Sequence, residues 1–118
     1  MINYDLAKKL KDAGFPQVIW SGQSYWEIHS QKEPVALMAE RFMENEAIGD
    51  KVKIPTLSEL IEACGDRFFS LFQCKGHAGN GHCWKADAED SMGRVTIAAF
   101  DHPTPEEAVA NLWLKLHE

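Results

Sequence analysis

Residues 56–65 read Thr-Leu-Ser-Glu-Leu-Ile-Glu-Ala-Cys-Gly, and residues 104–107 repeat the opening pattern as Thr-Pro-Glu-Glu. Both segments have the form of a capping box: the Thr hydroxyl accepts a hydrogen bond from the backbone N–H three residues later, and the Glu side chain accepts one from the Thr N–H. We therefore expect a helix to begin at each segment. The first helix has apolar residues at helical spacing and ends near Gly65. These apolar residues are Leu57, Leu60, Ile61 and Cys64.

The segment between the two predicted helices is typical of β-structure. Strands are expected at about 68–74, 83–88 and 95–100, with a turn at 91–93. Alternate positions of the last two strands are apolar, so one face of the sheet is apolar and must be buried against another element. The helix from Pro105 to about His117 has apolar residues that can cover this face. The sheet positions are Trp84, Ala86, Ala88, Val95, Ile97 and Ala99.

The N-terminal part begins with another predicted helix, from Tyr4 to about Ala13. Asn3 is its expected cap, and Gly14 is expected to end it. Val18-Ile19-Trp20 and Tyr25-Trp26-Glu27-Ile28-His29 then predict a hairpin with its turn around Gly22.

The stretch from residue 34 to 48 allows two interpretations. Apolar residues at helical spacing favour a helix with Pro34 in its first turn. A strand through Val35-Ala36-Leu37-Met38 is the alternative.

Together these elements predict a single α+β domain over residues 1–118, built as an antiparallel β-meander flanked by helices. Its expected order is an N-terminal helix, a β-hairpin, a central helix or helices, a three-stranded meander and a C-terminal helix. A chain of 118 residues is long enough to bury roughly two thirds of its unfolded surface.

Composition excludes several classes of protein. Hydrophobic residues make up 45% and charged residues 25%, which is typical of a globular domain rather than a disordered chain. The formal charge of −6 makes nucleic-acid binding an unfavoured function, because binding phosphates requires clustered Lys and Arg. No apolar run approaches the roughly 20 residues that span a bilayer, and the first residues lack a signal-peptide pattern. We expect a cytoplasmic protein that contacts no membrane, with its three cysteines reduced and Cys64 in the core.

Two segments also resemble a known family. Residues 54–65 and 103–114 resemble small uncharacterised proteins of bacteriophages and prophages, which are similar in turn to the phage ABA-sandwich domain. The resemblance covers about half of the chain and lies in its capped helices. It implies a helix, strand meander, helix arrangement and a phage setting, hence the cytoplasm of a host cell. It implies no catalytic residue.

The segment 74–83 has residues of the types that bind zinc. Tetrahedral zinc takes four Cys or His ligands, usually as pairs separated by two to four residues. His82 and Cys83 are adjacent, which does not fit that spacing, so a glycine-rich hairpin loop is the simpler interpretation. A disulfide between Cys74 and Cys83 is conceivable on oxidation but disfavoured in the cytosol. The candidate metal ligands are Cys74, His77, His82 and Cys83.

The first predicted hairpin is rich in aromatic residues. Large aromatic side chains anchor partner contacts when they are exposed, and they form the core when they are not. The candidate partner-binding residues are Trp20, Tyr25, Trp26 and His29.

No nucleophile elbow, phosphate-binding loop or dinucleotide motif is present in the sequence. We therefore expect no enzyme, but a small accessory protein that contacts an unknown host or phage protein. A narrower hypothesis is an inhibitor of a host defence complex whose acidic surface imitates nucleic-acid phosphates. The alternative is a zinc-stapled module that presents its loop to nucleic acid.

Overall fold

The computed structural model of the chain describes residues 2–20, 22–28, 30–36, 51–75 and 82–117. Within these ranges the chain forms three α-helices, a short 3-10 helix and six strands, which belong to two three-stranded antiparallel sheets. The predicted α+β fold class is confirmed. The chain divides into two compact units, Met1–Pro55 and Thr56–Glu118, called here the N-terminal and C-terminal units. That both belong to a single domain stays a prediction.

The first helix of the N-terminal unit, α1, spans Tyr4–Asp12. The side chain of Asn3 accepts a hydrogen bond from the backbone N–H of Leu6 at 2.9 Å, which confirms the predicted cap. The inner face of α1 is buried, whereas Ala13 is exposed just beyond its end.

The sheet of this unit contains β1 (Ser24–Glu27), β2 (Ser30–Ala36) and β3 (Lys51–Lys53), in the order β2-β1-β3. The predicted strand at Val18-Ile19-Trp20 is wrong, because only Ile19 forms a β-bridge there. Side chains bind the neighbouring backbone groups instead: Lys53 Nζ donates to the Val18 carbonyl, and the Trp20 N–H donates to Gln23 Oε1. The hairpin therefore joins β1 to β2.

The helix predicted from Pro34 is wrong at its start, since residues 34–36 belong to β2. Val35 pairs with Tyr25, and Ala36 pairs with Ser24. In the described sheet β2 is an edge strand, a position where proline is tolerated although it has no N–H to donate. The alternative strand prediction is confirmed at Val35 and Ala36, and the remainder of both predictions, residues 37–48, lies outside the described residues.

The C-terminal unit begins with α2, which spans Leu57–Cys64. Both halves of its capping box are present: the Glu59 N–H donates to Thr56 Oγ1 at 3.2 Å, and the Thr56 N–H donates to Glu59 Oε1 at 3.0 Å. Gly65 follows with a φ of +66°, a left-handed value that favours glycine. This predicted helix is confirmed at both ends.

The predicted meander is also confirmed, as β4 (Phe68–Lys75), β5 (His82–Glu89) and β6 (Val95–His102) in the order β4-β5-β6. The last helix, α3, spans Pro105–Leu116, and its first turn is capped by Thr104, whose hydroxyl accepts from the Glu107 N–H at 3.2 Å. This helix packs on the sheet and on α2. The buried sheet residues beneath α3 are small, which allows the helix to approach the sheet closely. They are Ala86, Ala88 and Ala99.

Candidate functional site

Among the described aromatic residues of the N-terminal unit, Trp20 is the most exposed and retains 49% of its accessible surface. It lies at the start of a turn that is closed by two hydrogen bonds between Trp20 and Gln23. The Trp20 N–H donates to Gln23 Oε1 at 3.0 Å, and the Gln23 N–H donates to the Trp20 carbonyl at 3.0 Å. Gly22, between them, has a φ of +85°. We call Trp20, Gly22 and Gln23 together the Trp20 turn.

A buried lysine supports this turn from the neighbouring strand. Lys53, in β3, is only 3% exposed, and its Nζ donates to the Val18 carbonyl and, at 3.4 Å, to Gln23 Oε1. Its backbone N–H donates to Gln17 Oε1 at 2.9 Å, and the Gln17 amide donates in turn to the Phe15 carbonyl at 3.1 Å. These bonds fix the backbone on both sides of Trp20.

The sequence did not reveal this support. The Lys51-Val52-Lys53 run has an apolar residue between two charged ones, and lysine is almost never fully buried unless it is paired. The Val18 carbonyl and the Gln23 side-chain oxygen, which the fold brings to Lys53 Nζ, help to make burial of this lysine favourable.

The other candidate partner-binding residues have different surroundings. Tyr25 is 7% exposed and belongs to the core. Trp26 is partly buried, with its ring edge-on to Tyr4 at a centroid distance of 6.3 Å and its Nε1 donating to the Ile2 carbonyl at 3.4 Å. His29 lies outside the described residues. Of the three described candidates, Trp20 has the largest exposed aromatic surface.

The candidate metal ligands lie at the β4–β5 hairpin. Cys74 is opposite Cys83 in the strand register, and Lys75 is opposite His82. His82 and Cys83 are consecutive positions of β5, and consecutive strand positions alternate between sheet faces. His77 lies outside the described residues. Among the residues that the structure describes, no three His, Cys, Asp or Glu side chains are grouped as a metal requires.

Cys83 differs from its expected state. The sequence predicted three reduced thiols, but Cys83 is disulfide-bonded, whereas Cys64 is free and buried in the core as predicted. A sulfur in a disulfide is not a thiolate and does not act as a zinc ligand. The zinc site therefore stays a prediction that applies to the reduced chain.

The acidic residues near the β5–β6 turn have structural partners. Asp87 is buried, accepts from the Ser70 hydroxyl at 3.1 Å and lies 3.7 Å from Lys85 Nζ. Because Ser70 and Asp87 are opposite each other in the register, this is a cross-strand pair that stabilises the sheet.

Asp90 organises the turn itself. Its Oδ1 accepts from the backbone N–H groups of Arg94 at 3.0 Å and Met92 at 2.8 Å, and its Oδ2 accepts from the Thr96 hydroxyl at 2.9 Å. The backbone N–H groups of Arg94 and Met92 hold the pKa of Asp90 below its ordinary value. These hydrogen bonds commit the carboxylate to the turn.

This arrangement predicts a pH dependence. Because the pKa of Asp90 is lower in the folded protein than in the unfolded chain, its ionised form contributes stability at neutral pH that is lost as the pH falls through the folded pKa. We expect Asp90→Asn to lower the melting temperature at pH 7 and the difference from the wild type to shrink in acid. Glu106→Gln, in the first turn of α3, is the control. A difference that grows as the pH falls would contradict this assignment.

Charge is divided unevenly between the two units. The C-terminal unit carries ten of the 18 acidic residues but only five of the 12 Lys and Arg residues. The N-terminal unit is close to neutral by the same count. The excess negative charge of the protein therefore belongs almost entirely to residues 56–118.

The chain was compared with protein-family models, curated proteins and solved structures, and none of them matches it. No helix in the described ranges is both long enough and apolar enough to cross a membrane.

Proposed function

We propose that this chain is a small, non-enzymatic accessory protein of the phage type, acting in the host cytoplasm by contact with another protein. The observation that carries the proposal is the exposure of Trp20 at a turn whose ends are joined by two hydrogen bonds. The resemblance of the capped helices to phage proteins supports the setting.

Trp20 has the properties of an interface anchor. Tryptophan is enriched among the residues that dominate binding energies, and a side chain on a fixed backbone loses little conformational freedom on binding. The Lys53 and Gln23 hydrogen bonds supply that fixed backbone. A partner with an apolar cavity for one indole ring fits this feature.

The acidic C-terminal unit supports a partner with a basic surface. Opposite charges steer association and raise its rate at low salt. The narrower proposal is an inhibitor that occupies the basic groove of a host defence complex in place of nucleic acid. Its distinguishing consequence is competition: added DNA should displace the protein from its partner.

The test is capture from host lysate with the purified protein as bait. We expect Trp20→Ala to weaken binding of a stoichiometric partner by about 2 kcal/mol, roughly 30-fold in Kd, with the melting temperature unchanged. Val35→Ala is the matched control, since Val35 is also exposed in the N-terminal unit. Equal recovery by the wild type and Trp20→Ala, or no stoichiometric partner for the wild type, would contradict the proposal.

The second candidate function is the zinc-stapled module, with Cys74, His77, His82 and Cys83 as ligands and nucleic acid as its target. The register that places Cys74 opposite Cys83 favours it. Elemental analysis of protein purified under reducing conditions tests it, and zinc far below one ion per chain would eliminate it.

A further inference from the structure

Cys83 forms a disulfide in a chain that offers it few partners. The sequence contains three cysteines, and one of them, Cys64, is free. The remaining cysteine is Cys74, which lies directly opposite Cys83 in the antiparallel pairing of β4 and β5. Within one chain, count and register both assign Cys74 as the partner.

The register also provides a suitable distance. Directly opposite residues of antiparallel strands have Cα atoms about 4.5–5.5 Å apart, inside the range of about 4.4–6.8 Å that disulfides occupy. We propose that Cys74 and Cys83 form a reversible cross-strand disulfide, so that the β4–β5 hairpin responds to the redox state of its surroundings.

The pairing of the two strands is expected to persist when the disulfide is reduced. Six other register pairs join β4 to β5, from Phe68 with Ala88 to Lys75 with His82. The strand pairing therefore does not depend on the covalent link, and the two cysteines remain opposite each other in the register after reduction. Reduction frees two thiols without separating the strands, and oxidation needs no search for a partner.

Glutathione disulfide is the oxidant that forms the bond between Cys74 and Cys83. The Cys74 thiolate attacks one of its sulfur atoms, which forms a mixed disulfide and releases one glutathione thiolate. The Cys83 thiolate then attacks the Cys74 sulfur and releases the second glutathione. The two protein thiols lose two protons and two electrons, and glutathione disulfide takes up both.

Cys64 does not take part in this exchange. It is buried in α2, and burial raises the pKa of its thiol to about 11, so it remains a neutral thiol near pH 7. The oxidised hairpin also has consequences for metal binding, because closing the disulfide removes two of the four candidate zinc ligands. Oxidation and zinc binding at this hairpin exclude each other.

The experiment uses the full chain in glutathione buffers from fully oxidised to fully reduced, trapped with an alkylating agent and analysed by peptide mass mapping. We expect a Cys74–Cys83 peptide, lighter by two hydrogen atoms, in excess glutathione disulfide. In excess reduced glutathione its fraction should fall at least about tenfold while the protein stays folded. The oxidised form should melt about 5–10 °C higher than the reduced form.

Cys64→Ala should leave the linkage unchanged, and Cys74→Ser should abolish both the linkage and the difference in melting temperature. Three results would overturn the proposal: a link from Cys83 to Cys64 or to a second chain, no link in excess glutathione disulfide, or a link that persists in excess reduced glutathione. Because the peptide map is made on the wild type, the test stands even if Cys74→Ser fails to fold.

Discussion

Replacing Leu112 by alanine is expected to lower the free energy of unfolding by about 2–5 kcal/mol, the largest effect we predict for this chain. Leu112 has no exposed surface and lies in α3, which packs on β4, β5, β6 and α2. Truncating it removes buried methyl groups and leaves a cavity that the alanine-lined sheet cannot fill. Urea unfolding followed by circular dichroism measures the loss.

The control is Leu114→Ala, in the same helix and with the same chemistry. Leu114 is only partly buried, so its truncation should cost clearly less than that of Leu112. A cost for Leu114→Ala equal to that for Leu112→Ala would show that α3 does not present the expected face to the sheet.

The same variant tests the prediction of a single domain. If residues 1–118 unfold as one cooperative unit, Leu112→Ala should lower the protection of backbone amides against hydrogen exchange equally in both units. Unchanged protection in α1 and β1 would instead show that the N-terminal unit is a domain of its own.

Replacing Lys53 by methionine is expected to cost about 2–3 kcal/mol, although the apolar stem of the side chain is kept. The change removes a charged donor and leaves the Val18 carbonyl and Gln23 Oε1 without its hydrogen bonds. The Trp20 turn should loosen, so partner capture should also weaken. Denaturant unfolding followed by tryptophan fluorescence measures the stability.

Lys51→Met is the matched control, two positions away on the same strand. Lys51 is partly exposed, and its Nζ lies 5.7 Å from the centroid of the Tyr25 ring, a contact that contributes about 0.5–1 kcal/mol. If both substitutions cost the same, the support that we assign to Lys53 would be wrong.

The sequence predicted the C-terminal unit better than the N-terminal one. Thr56 and Thr104 mark helix starts by hydrogen bonds that span three residues, and such bonds depend on neighbours in the sequence alone. The alternating apolar positions of β5 and β6 are equally local. The hairpin at 18–29 was misplaced because Val18 and Trp20 bond to side chains of Lys53 and Gln23, and Lys53 is distant in the sequence.

The candidate site was predicted only in part. Four aromatic residues were singled out together, and the pattern could not separate exposed Trp20 from buried Tyr25, because both types of side chain suit either environment. The cysteines were expected to be reduced on grounds of compartment, whereas the register places Cys74 opposite Cys83.

The sequence by itself determined where the capped helices begin, which strand positions are apolar and that the fold is of the α+β class, because each depends on residues a few positions apart. Tertiary structure alone decided that Pro34 lies in an edge strand, that Lys53 is buried with its Nζ bonded to Val18 and Gln23, and that Cys83 forms a disulfide. These features depend on groups that only the folded backbone brings within bonding distance. The order of residue types along the chain does not specify those distances.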